Sequence, residues 1–242
     1  MKITFLADDK PTAAQALRAC IKRYGQADLS KADVVVVLGG DGFMLKTLHA
    51  LLNYQTPVFG LNLGHVGYLL NHYSLDNLPD RVSRAERKEV IPLQITAKTG
   101  SRKVQKQYAF NEFSFVRMSP QAARLGVSIK DRLGPFVQRE VFGDGLIVAT
   151  PMGGSGYYSA AHGVPLDPDC DLIALQSICA KTGLNAIVAP DSQVHVEVKE
   201  RAKRPVCIDR DGQDRIADVR SAIVQQSTRK RMSLLKDRTV HR

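Results

Sequence analysis

The chain has 242 residues, of which 44% are hydrophobic and 24% are charged, and its formal net charge is +10. A chain of this length can bury one large core or two modest ones, so the composition is that of a soluble, globular protein. No apolar run is long enough to span a bilayer, and the N-terminus turns acidic at Asp8 and Asp9, where a signal peptide would remain apolar. We therefore expect a cytoplasmic protein without a membrane partner.

The cysteines and histidines give no sign of a metal centre. The four cysteines have no CxxC spacing, and the six histidines form no HExxH motif or comparable ligand cluster. The expectation is reduced, structural thiols and no tight metal site. The basic residues are dispersed and lack a zinc-finger or helix-turn-helix signature, so no nucleic-acid partner is expected. Small anionic substrates account for the positive charge equally well.

The first third of the chain has an α/β pattern. Strand-like runs occur at Ile3–Ala7, Val34–Leu38 and Val58–Leu61, and they alternate with helical stretches at Thr12–Arg23 and Phe43–Leu52. This alternation predicts a parallel sheet covered by helices.

After residue 90 the pattern changes to a succession of short β-rich stretches. It predicts a first α/β domain over residues 1–90 and a second, mainly β domain over residues 91–224. Leu172–Ala180 is predicted to form the one short helix of the second domain. The segment 225–242 is predicted to return to the first domain, with a helix over Met232–Lys236.

Gly39-Gly40-Asp41-Gly42 joins the second of these strands to a helix. Glycines allow the backbone to approach a polyphosphate without Cβ clashes, and the free amides of a helix N-terminus favour an anion. Asp41 could therefore meet an acceptor hydroxyl beside a phosphoryl donor. The alternative is that Asp41 only caps the helix and the glycines only form a tight turn. This stretch alone does not decide between them.

Two further stretches carry polar or aromatic groups suited to a nucleotide. Gly60–Leu70 contains three glycines and Tyr68, whose ring could pack on a base, although an ordinary loop has the same composition. Asn111 and Glu112 interrupt a strand-like run and could bind ribose hydroxyls or help to hold a cation. Alone, neither stretch is specific.

Three later stretches are also open to two interpretations. Gly143-Asp144-Gly145 forms either a simple turn or a strand end that presents the Asp144 carboxylate. Pro151–Ser159 is a second glycine-rich segment, with a hydroxyl and two aromatic rings that could contact a nucleoside. Asp209–Gln213 has the form of a hairpin turn. The chain has no GxxxxGK[ST] loop and no HRD or DFG motif, so a phosphoryl transfer would not use P-loop or protein-kinase machinery.

Taken in order, these stretches resemble the NAD kinase family, the ATP- or polyphosphate-dependent enzymes that make NADP. The matching stretches are GGDG at 39–42, NLGHVGYL at 62–69, Asn111-Glu112, DGLIVATP at 144–151 with Gly153 and Tyr157, and DGQ at 211–213. GGDG also occurs in lipid kinases and phosphofructokinases, whereas the Asn-Glu pair followed by DGLIV and TP is more specific. The resemblance implies a Rossmann-like α/β domain and a mainly β domain, with NAD and ATP as substrates and Mg²⁺ on the phosphates.

The resemblance also implies roles for individual residues. Asp41 would be the catalytic base that orients the adenosine ribose 2′-hydroxyl, Tyr68 would pack on the adenine, and Asn111 with Glu112 would hold the nucleoside. The remaining substrate-binding positions that it implies are Gly39, Gly40, Gly42, Asn62, Gly64, Asp144, Ser155, Gly156 and Tyr157. Family members are dimers or tetramers in which the region of Asp144 reaches a neighbour's site, so a homodimer or homotetramer is expected.

The chain departs from the family pattern in one segment. The family commonly reads TPTGSTAY, and here Met152, Gly154, Ser155 and Gly156 stand where Thr, Ser, Thr and Ala are usual. Ser155 keeps a hydroxyl, but the added glycine makes ordering of the loop entropically costlier. Two alternatives to an NAD kinase therefore remain open: a kinase of the same fold acting on another hydroxyl, such as a lipid or polyol, and a non-catalytic NAD(P)-binding protein.

Overall fold

The computed structural model describes residues 1–131 and 134–238. The chain forms two compact units, the first made of residues 1–90 with the C-terminal segment from Lys230 onward, and the second of Ile91–Arg229. Each unit has its own buried core. Within the described residues, none of the helices has the length and apolar character needed to cross a membrane.

The first unit is an α/β layer. Numbered along the chain, its strands and α-helices are β1 (Ile3–Ala7), α1 (Pro11–Tyr24), β2 (Val34–Gly39), α2 (Asp41–Ala50), β3 (Val58–Asn62), β4 (Asn71–His72), α3 (Leu78–Arg84), β5 (Glu86–Val90) and β18 (Met232–Lys236). The strands form one sheet in the order β1-β2-β3-β18-β5, with β4 beside β3.

The central strand β2 explains the layout of this unit. All of its residues are buried, which is typical of a parallel strand covered on both faces. It pairs in parallel with β1 and β3, and Gly39 lies opposite Asn62 at the carboxyl ends of β2 and β3. The predicted strands and helices of this region are confirmed, although α2 begins at Asp41, two residues earlier than predicted. The glycine turn therefore lies at the edge of the sheet where ligands of α/β folds bind.

The predicted C-terminal helix is wrong. Met232–Lys236 is strand β18, which pairs in parallel with β3 and antiparallel with β5. Leu234 and Leu235 are both buried, although neighbouring side chains in a strand point to opposite faces. A short apolar run that is buried on both faces has neither helical nor alternating periodicity, so the sequence pattern could not identify it.

The second unit is a β-sandwich with antiparallel strands. Its strands and one short α-helix are β6 (Leu93–Thr99), β7 (Val104–Ala109), β8 (Glu112–Arg117), β9 (Ala123–Asp131), β10 (Gly134–Gly143), β11 (Gly145–Ala149), α4 (Tyr157–Ala160), β12 (Ile173–Ile178), β13 (Asn185–Val188), β14 (Gln193–Val198), β15 (Val206–Arg210), β16 (Asp214–Ile216) and β17 (Val219–Gln226). The two sheets have the strand orders β10-β9-β14-β17-β6-β7 and β13-β12-β11-β8-β15-β16.

The two sheets bury a shared core. Phe113 and Phe115 of β8 are completely buried in the same cluster as Leu125 and Ile129 of β9. The opposite face of the β8 and β11 sheet is covered in part by α4, where the Tyr158 ring packs with Ile147. The mainly β character predicted for this region is confirmed.

One prediction for the second unit is wrong and another is confirmed. Leu172–Ala180 is predicted to be helical, but it contains β12, all of whose residues are buried between β11 and β13. A fully buried strand lacks the alternation by which a strand is recognised. The predicted hairpin at Asp209–Gln213 is present between β15 and β16, and its turn residues Asp211 and Gly212 have φ angles of 48° and 63°.

Candidate active site

In the first unit, the glycine turn gives the start of α2 a backbone without side chains at Gly40 and Gly42. Gly40 precedes the helix with an extended backbone, and Asp41 is the first helical residue. Beyond the adjacent residues and the backbone of α2 itself, a Cβ built on Gly40 or Gly42 would have no heavy atom within 4 Å, whereas one on Gly39 would lie 3.0 Å from the Phe43 ring. The turn therefore has open space beside Gly40 and Gly42, where a phosphate could approach the helix N-terminus.

The Asp41 carboxylate does not cap its own helix. Its Oδ2 accepts the backbone N–H of Tyr68 at 3.0 Å, and its Oδ1 accepts the N–H of Leu69 at 2.9 Å. The N-cap residue of α2 is Gly40, which has no side chain with which to cap the helix. The capping interpretation of Asp41 is therefore wrong. Each carboxylate oxygen has a second lone pair, so the group can still accept a proton or hydrogen bond from a ligand.

The loop that supplies these amides is organised by Asn62. The Asn62 Oδ1 accepts the N–H of Gly64 at 2.9 Å, and the N–H of Leu63 donates to the Gly39 carbonyl at 2.8 Å. A Cβ on Gly67 would lie 2.7 Å from the Asn62 side chain, so the loop closes tightly around that amide. Tyr68 is 66% exposed. The loop thus fixes Asp41 while it presents an aromatic ring to solvent.

In the second unit, Asp211 holds the backbone around Asn111 and Glu112. Its buried carboxylate accepts the N–H groups of Phe110, Asn111 and Glu112 at 2.8, 2.9 and 3.0 Å. The Thr150 hydroxyl donates to the Phe110 carbonyl at 2.6 Å. These contacts join the hairpin turn and the end of β11 to one short segment, so its orientation does not depend on a ligand.

The Asn111 and Glu112 side chains carry unused hydrogen-bonding capacity. Within the described residues, Asn111 Oδ1 and Glu112 Oε2 are buried without a partner. Burial, with a further contribution from the Asp211 charge, raises the pKa of Glu112 to about 8. A Cβ on Gly156 would lie 3.1 Å from Glu112 Oε2. Buried polar atoms are costly to leave unpaired, so these two oxygens are suited to receive hydroxyl groups of a ligand.

The second glycine-rich segment lies directly beside this pair. Pro151–Ser155 forms a 3-10 turn, and a Cβ on Gly153 would lie 2.5 Å from the Asn111 carbonyl oxygen. Ser155 is exposed, and Tyr157 begins α4 with 41% of its surface exposed. Partial burial raises the pKa of the Tyr157 phenol, and the charges of Cys179, Asp144, Asp209 and Glu112 add to the effect in that order.

Asp144 lies apart from the Asn111–Glu112 pair. It immediately precedes Gly145, which pairs with Val116, whereas Glu112 pairs with Ala149 at the other end of β11. Its carboxylate forms an ion pair with Arg117 at 2.7 Å. At a rise of roughly 3.4 Å per residue, Asp144 and Ala149 are about 17 Å apart along the strand. The second unit therefore does not bring Asp144 directly to Glu112.

Both halves of the chain match models of one protein family. Residues 4–90 match the ATP-NAD kinase N-terminal domain, and residues 117–233 match the ATP-NAD kinase C-terminal domain. An NAD kinase of Cereibacter sphaeroides is 39% identical over 239 residues, which cover 98% of this chain and 92% of the relative. An NAD kinase of Xylella fastidiosa is 38% identical over 98% of this chain and 90% of its own length.

The chain belongs to the ATP-NAD kinase family.

Solved structures support the same fold. A yeast NADH kinase complexed with NADH superposes with a TM-score of 0.83 at 18% identity, covering 98% of this chain and 83% of that one. An NAD kinase from Archaeoglobus fulgidus in complex with ATP gives 0.78 at 20% identity, covering 98% of this chain and 94% of that one. At these identities the likeness concerns the fold alone, and it is the two-domain fold predicted from the sequence.

Within the ATP-NAD kinase fold, the predicted residues other than Asp144 fall into two groups, one in each unit. Asp41 lies with its three glycines, Asn62, Gly64 and Tyr68, and Asn111 lies with Glu112 and Gly156. The predicted set omitted three residues that hold these groups, namely Asp211, Thr150 and Lys236. Asp211 and Thr150 belong to motifs visible in the sequence, but their backbone contacts are not. Nothing in the sequence marks Lys236.

Proposed function

We propose that this chain transfers the γ-phosphoryl group of ATP, or a phosphoryl group of polyphosphate, to the adenosine ribose 2′-hydroxyl of NAD and so forms NADP. The observation that carries the proposal is the Asp41 carboxylate, held by two loop amides at the start of α2 and beside glycines with open space. Membership of the ATP-NAD kinase family and the nearly full-length similarity to NAD kinases support it.

In this proposal Asp41 is the general base. An alcohol does not ionise freely at neutral pH, so the carboxylate acts by orienting the hydroxyl and accepting its proton as the new P–O bond forms. The amides of Tyr68 and Leu69 occupy one lone pair on each oxygen and restrict rotation of the carboxylate. The backbone of Gly39, Gly40 and Gly42 approaches the phosphates of the donor.

Other predicted residues bind the dinucleotide. The exposed Tyr68 ring packs on the adenine, and the unpaired oxygens of Asn111 and Glu112 receive ribose hydroxyls. Because its pKa is about 8, Glu112 is mostly protonated at pH 7 and can both donate and accept a hydrogen bond. Gly156 lies beside the pair and leaves room that a larger residue would fill, and its chain neighbours Ser155 and Tyr157 complete the proposed pocket.

A divalent cation enters this proposal with ATP. Among residues 1–131 and 134–238, no group of three or more His, Cys, Asp or Glu side chains is placed to hold a metal ion. We propose that Mg²⁺ is carried by the phosphate oxygens of the donor, where it offsets their negative charge. The chain's own contribution is the glycine turn and the N-terminus of α2.

The proposal extends to assembly and compartment. Asp144 lies at the far end of β11 from Glu112, and we propose a homodimer or homotetramer in which Asp144 serves the site of a neighbouring copy. None of the four cysteines, all of which lie in the described residues, forms a disulfide, which supports a reducing, cytoplasmic setting.

The decisive experiment measures NADP formation by purified protein with NAD, ATP and Mg²⁺. The parent is expected to turn over, and Asp41→Asn should lower kcat by about 100-fold or more because the amide cannot take the proton. Asp80→Asn, which removes an exposed carboxylate from the first turn of α3, serves as the matched control and should retain parental activity. Parental activity in Asp41→Asn would refute the assigned base.

The same preparation also tests the two alternatives. If the parent binds NAD but forms no NADP, a panel of lipid and polyol acceptors is supplied with ATP and Mg²⁺. Phosphorylation of one of them would identify a kinase of another hydroxyl. Binding of NAD without any turnover would identify a non-catalytic NAD(P)-binding protein. Either result would overturn the proposed function.

A further inference from the structure

Lys236 lies beside the loop that holds Asp41. It is the last residue of β18, and its Nζ donates to the Tyr68 carbonyl at 2.8 Å and approaches the Leu70 carbonyl at 3.5 Å. The strand end is tied to the same stretch of chain, because Asn71 Nδ2 donates to the Leu235 carbonyl at 3.0 Å and the Asp237 N–H donates to Asn71 Oδ1 at 2.9 Å. Lys236 therefore has a fixed position relative to the loop.

The carbonyl that Lys236 contacts and an amide that Asp41 contacts belong to one peptide group. The Tyr68 C=O and the Leu69 N–H are the two ends of the same peptide unit. The ammonium binds its oxygen, and Asp41 Oδ1 accepts its N–H at 2.9 Å. The other amide on Asp41 is the N–H of Tyr68, which belongs to the preceding peptide unit, with the carbonyl of Gly67. Only one of the two amides on Asp41 is thus linked directly to Lys236.

The Lys236 ammonium lies at the oxygen end of this peptide group and the Asp41 carboxylate lies at its N–H end, so both charges are aligned favourably with the peptide dipole. Each polarises the group in the direction that strengthens the other hydrogen bond, and hydrogen bonds to charged groups are the stronger class. Partial burial lowers the pKa of Lys236, and the Asp41 charge acts in the opposite direction. Lys88 lowers this pKa further, and Asp237 raises it. Asp41 thus helps to keep Lys236 charged.

We propose that Lys236 is a positioning residue for Asp41 and acts through the peptide group that joins Tyr68 to Leu69. This inference rests on the proposed role of Asp41 as the base. Lys236 fixes the loop amide that orients the carboxylate, so its loss would misalign the base without removing it. The expected effect is on the chemical step rather than on substrate binding.

The kinetic test compares Lys236→Met, Lys236→Arg and Arg231→Met. Methionine keeps the apolar stem but removes the charge and its donors. Arg231 is the matched control, because it is a cation of the same segment whose ion pair with Glu89 lies on the surface. Lys236→Met should lower kcat about 10-fold or more and change the KM for NAD and ATP by less than about threefold, because only the alignment of the base is affected. Lys236→Arg should recover part of kcat, and Arg231→Met should resemble the parent.

A spectroscopic test does not depend on turnover. The amide proton of Leu69 should move upfield in Lys236→Met, because its peptide group loses the cation on the oxygen. The Tyr68 amide should move less, because its own peptide group is not bound by Lys236. Asp41→Asn should shift both amides. If the parent makes no NADP, the proposed function fails, while this test still decides whether the link between Lys236 and Leu69 exists.

A third test supplies the missing cation from solution. Lys236→Ala leaves a partly buried gap, and ethylammonium should restore its kcat in a saturable manner, with no comparable effect on Arg231→Ala. The proposal is overturned if kcat of folded Lys236→Met stays within about twofold of the parent. It is also overturned if the Leu69 and Tyr68 amides shift equally, or if ethylammonium fails to restore Lys236→Ala.

Discussion

Asp41 and Asp211 make similar hydrogen bonds but differ in burial and in the number of backbone amides that they bind. Both are aspartates whose carboxylates accept backbone amides from another segment of the chain. Asp211 is buried and binds three amides, so its hydrogen-bonding capacity is largely used within the fold. Asp41 is only partly buried and binds two, which leaves capacity for a ligand. The same chemistry therefore gives a structural clamp in one unit and a candidate base in the other.

Glu112 is predicted to make stability depend on pH. Its pKa is about 8 in the fold, above the ordinary value of 4.5, so the native state keeps a proton that the unfolded chain releases. The stability that this group contributes is complete below pH 4.5 and is lost as the pH rises through about 8. Glu112→Gln does not titrate. The free energy of unfolding of Glu112→Gln relative to the parent should therefore rise by roughly 4 kcal/mol between pH 5 and pH 8.5.

Urea unfolding of both proteins across this pH range measures the difference. Glu86→Gln removes an exposed carboxyl of β5 and controls for the loss of a carboxyl group in general. If the difference in unfolding free energy between Glu112→Gln and the parent does not change with pH, Glu112 is ionised in the native state throughout the range.

At the scale of elements, short segments fix the two candidate groups. The loop after β3 and strand β18 hold Asp41, whereas the hairpin turn after β15 and the turn after β11 hold Asn111 and Glu112. In each group, the segments that hold a functional residue are distant from it in sequence. Local patterns identify the strands and the glycine turns, because those depend on neighbouring residues. They do not identify a contact between residues 69 and 41, or between residues 211 and 111.

The turn after β11 is predicted to require glycine at position 153. A Cβ there would lie 2.5 Å from the Asn111 carbonyl oxygen, and a backbone atom held by Asp211 cannot move away easily. Gly153→Ala should therefore destabilise the protein by about 1–3 kcal/mol and raise the KM for NAD. Gly154→Ala is the matched control, because its Cβ would meet the Leu166 side chain at 3.2 Å, and a side chain can adjust. Urea unfolding and steady-state kinetics measure both effects, and equal behaviour of the two variants would contradict the steric argument.

At the scale of the whole molecule, the net charge of +10 is consistent with anionic substrates such as ATP and NAD. The sequence predicted the α/β unit, the mainly β unit and most of the residues around Asp41 and Glu112. It failed at β12 and β18, where burial on both faces removes the periodicity that distinguishes strand from helix. It also missed Lys236, because a lysine near the end of a basic segment looks like an exposed residue until its strand is placed beside β3.

The position of Asp144 leads to a prediction about assembly. If Asp144 serves the site of a neighbouring copy, two defective variants should complement each other when their subunits exchange. In a mixed dimer of Asp41→Asn and Asp144→Asn, one site would combine an intact Asp41 with an intact Asp144 from the partner. In a statistical mixture of dimers, about a quarter of all sites would then be active. Light scattering gives the size of the assembly, native mass spectrometry shows whether subunits have exchanged, and the unmixed variants treated in the same way are the controls. If the subunits have exchanged and the mixture is no more active than the unmixed variants, Asp144 acts in the site of its own chain. Each chain of the mixed dimer would then carry one defect in its own site, so neither site would be active.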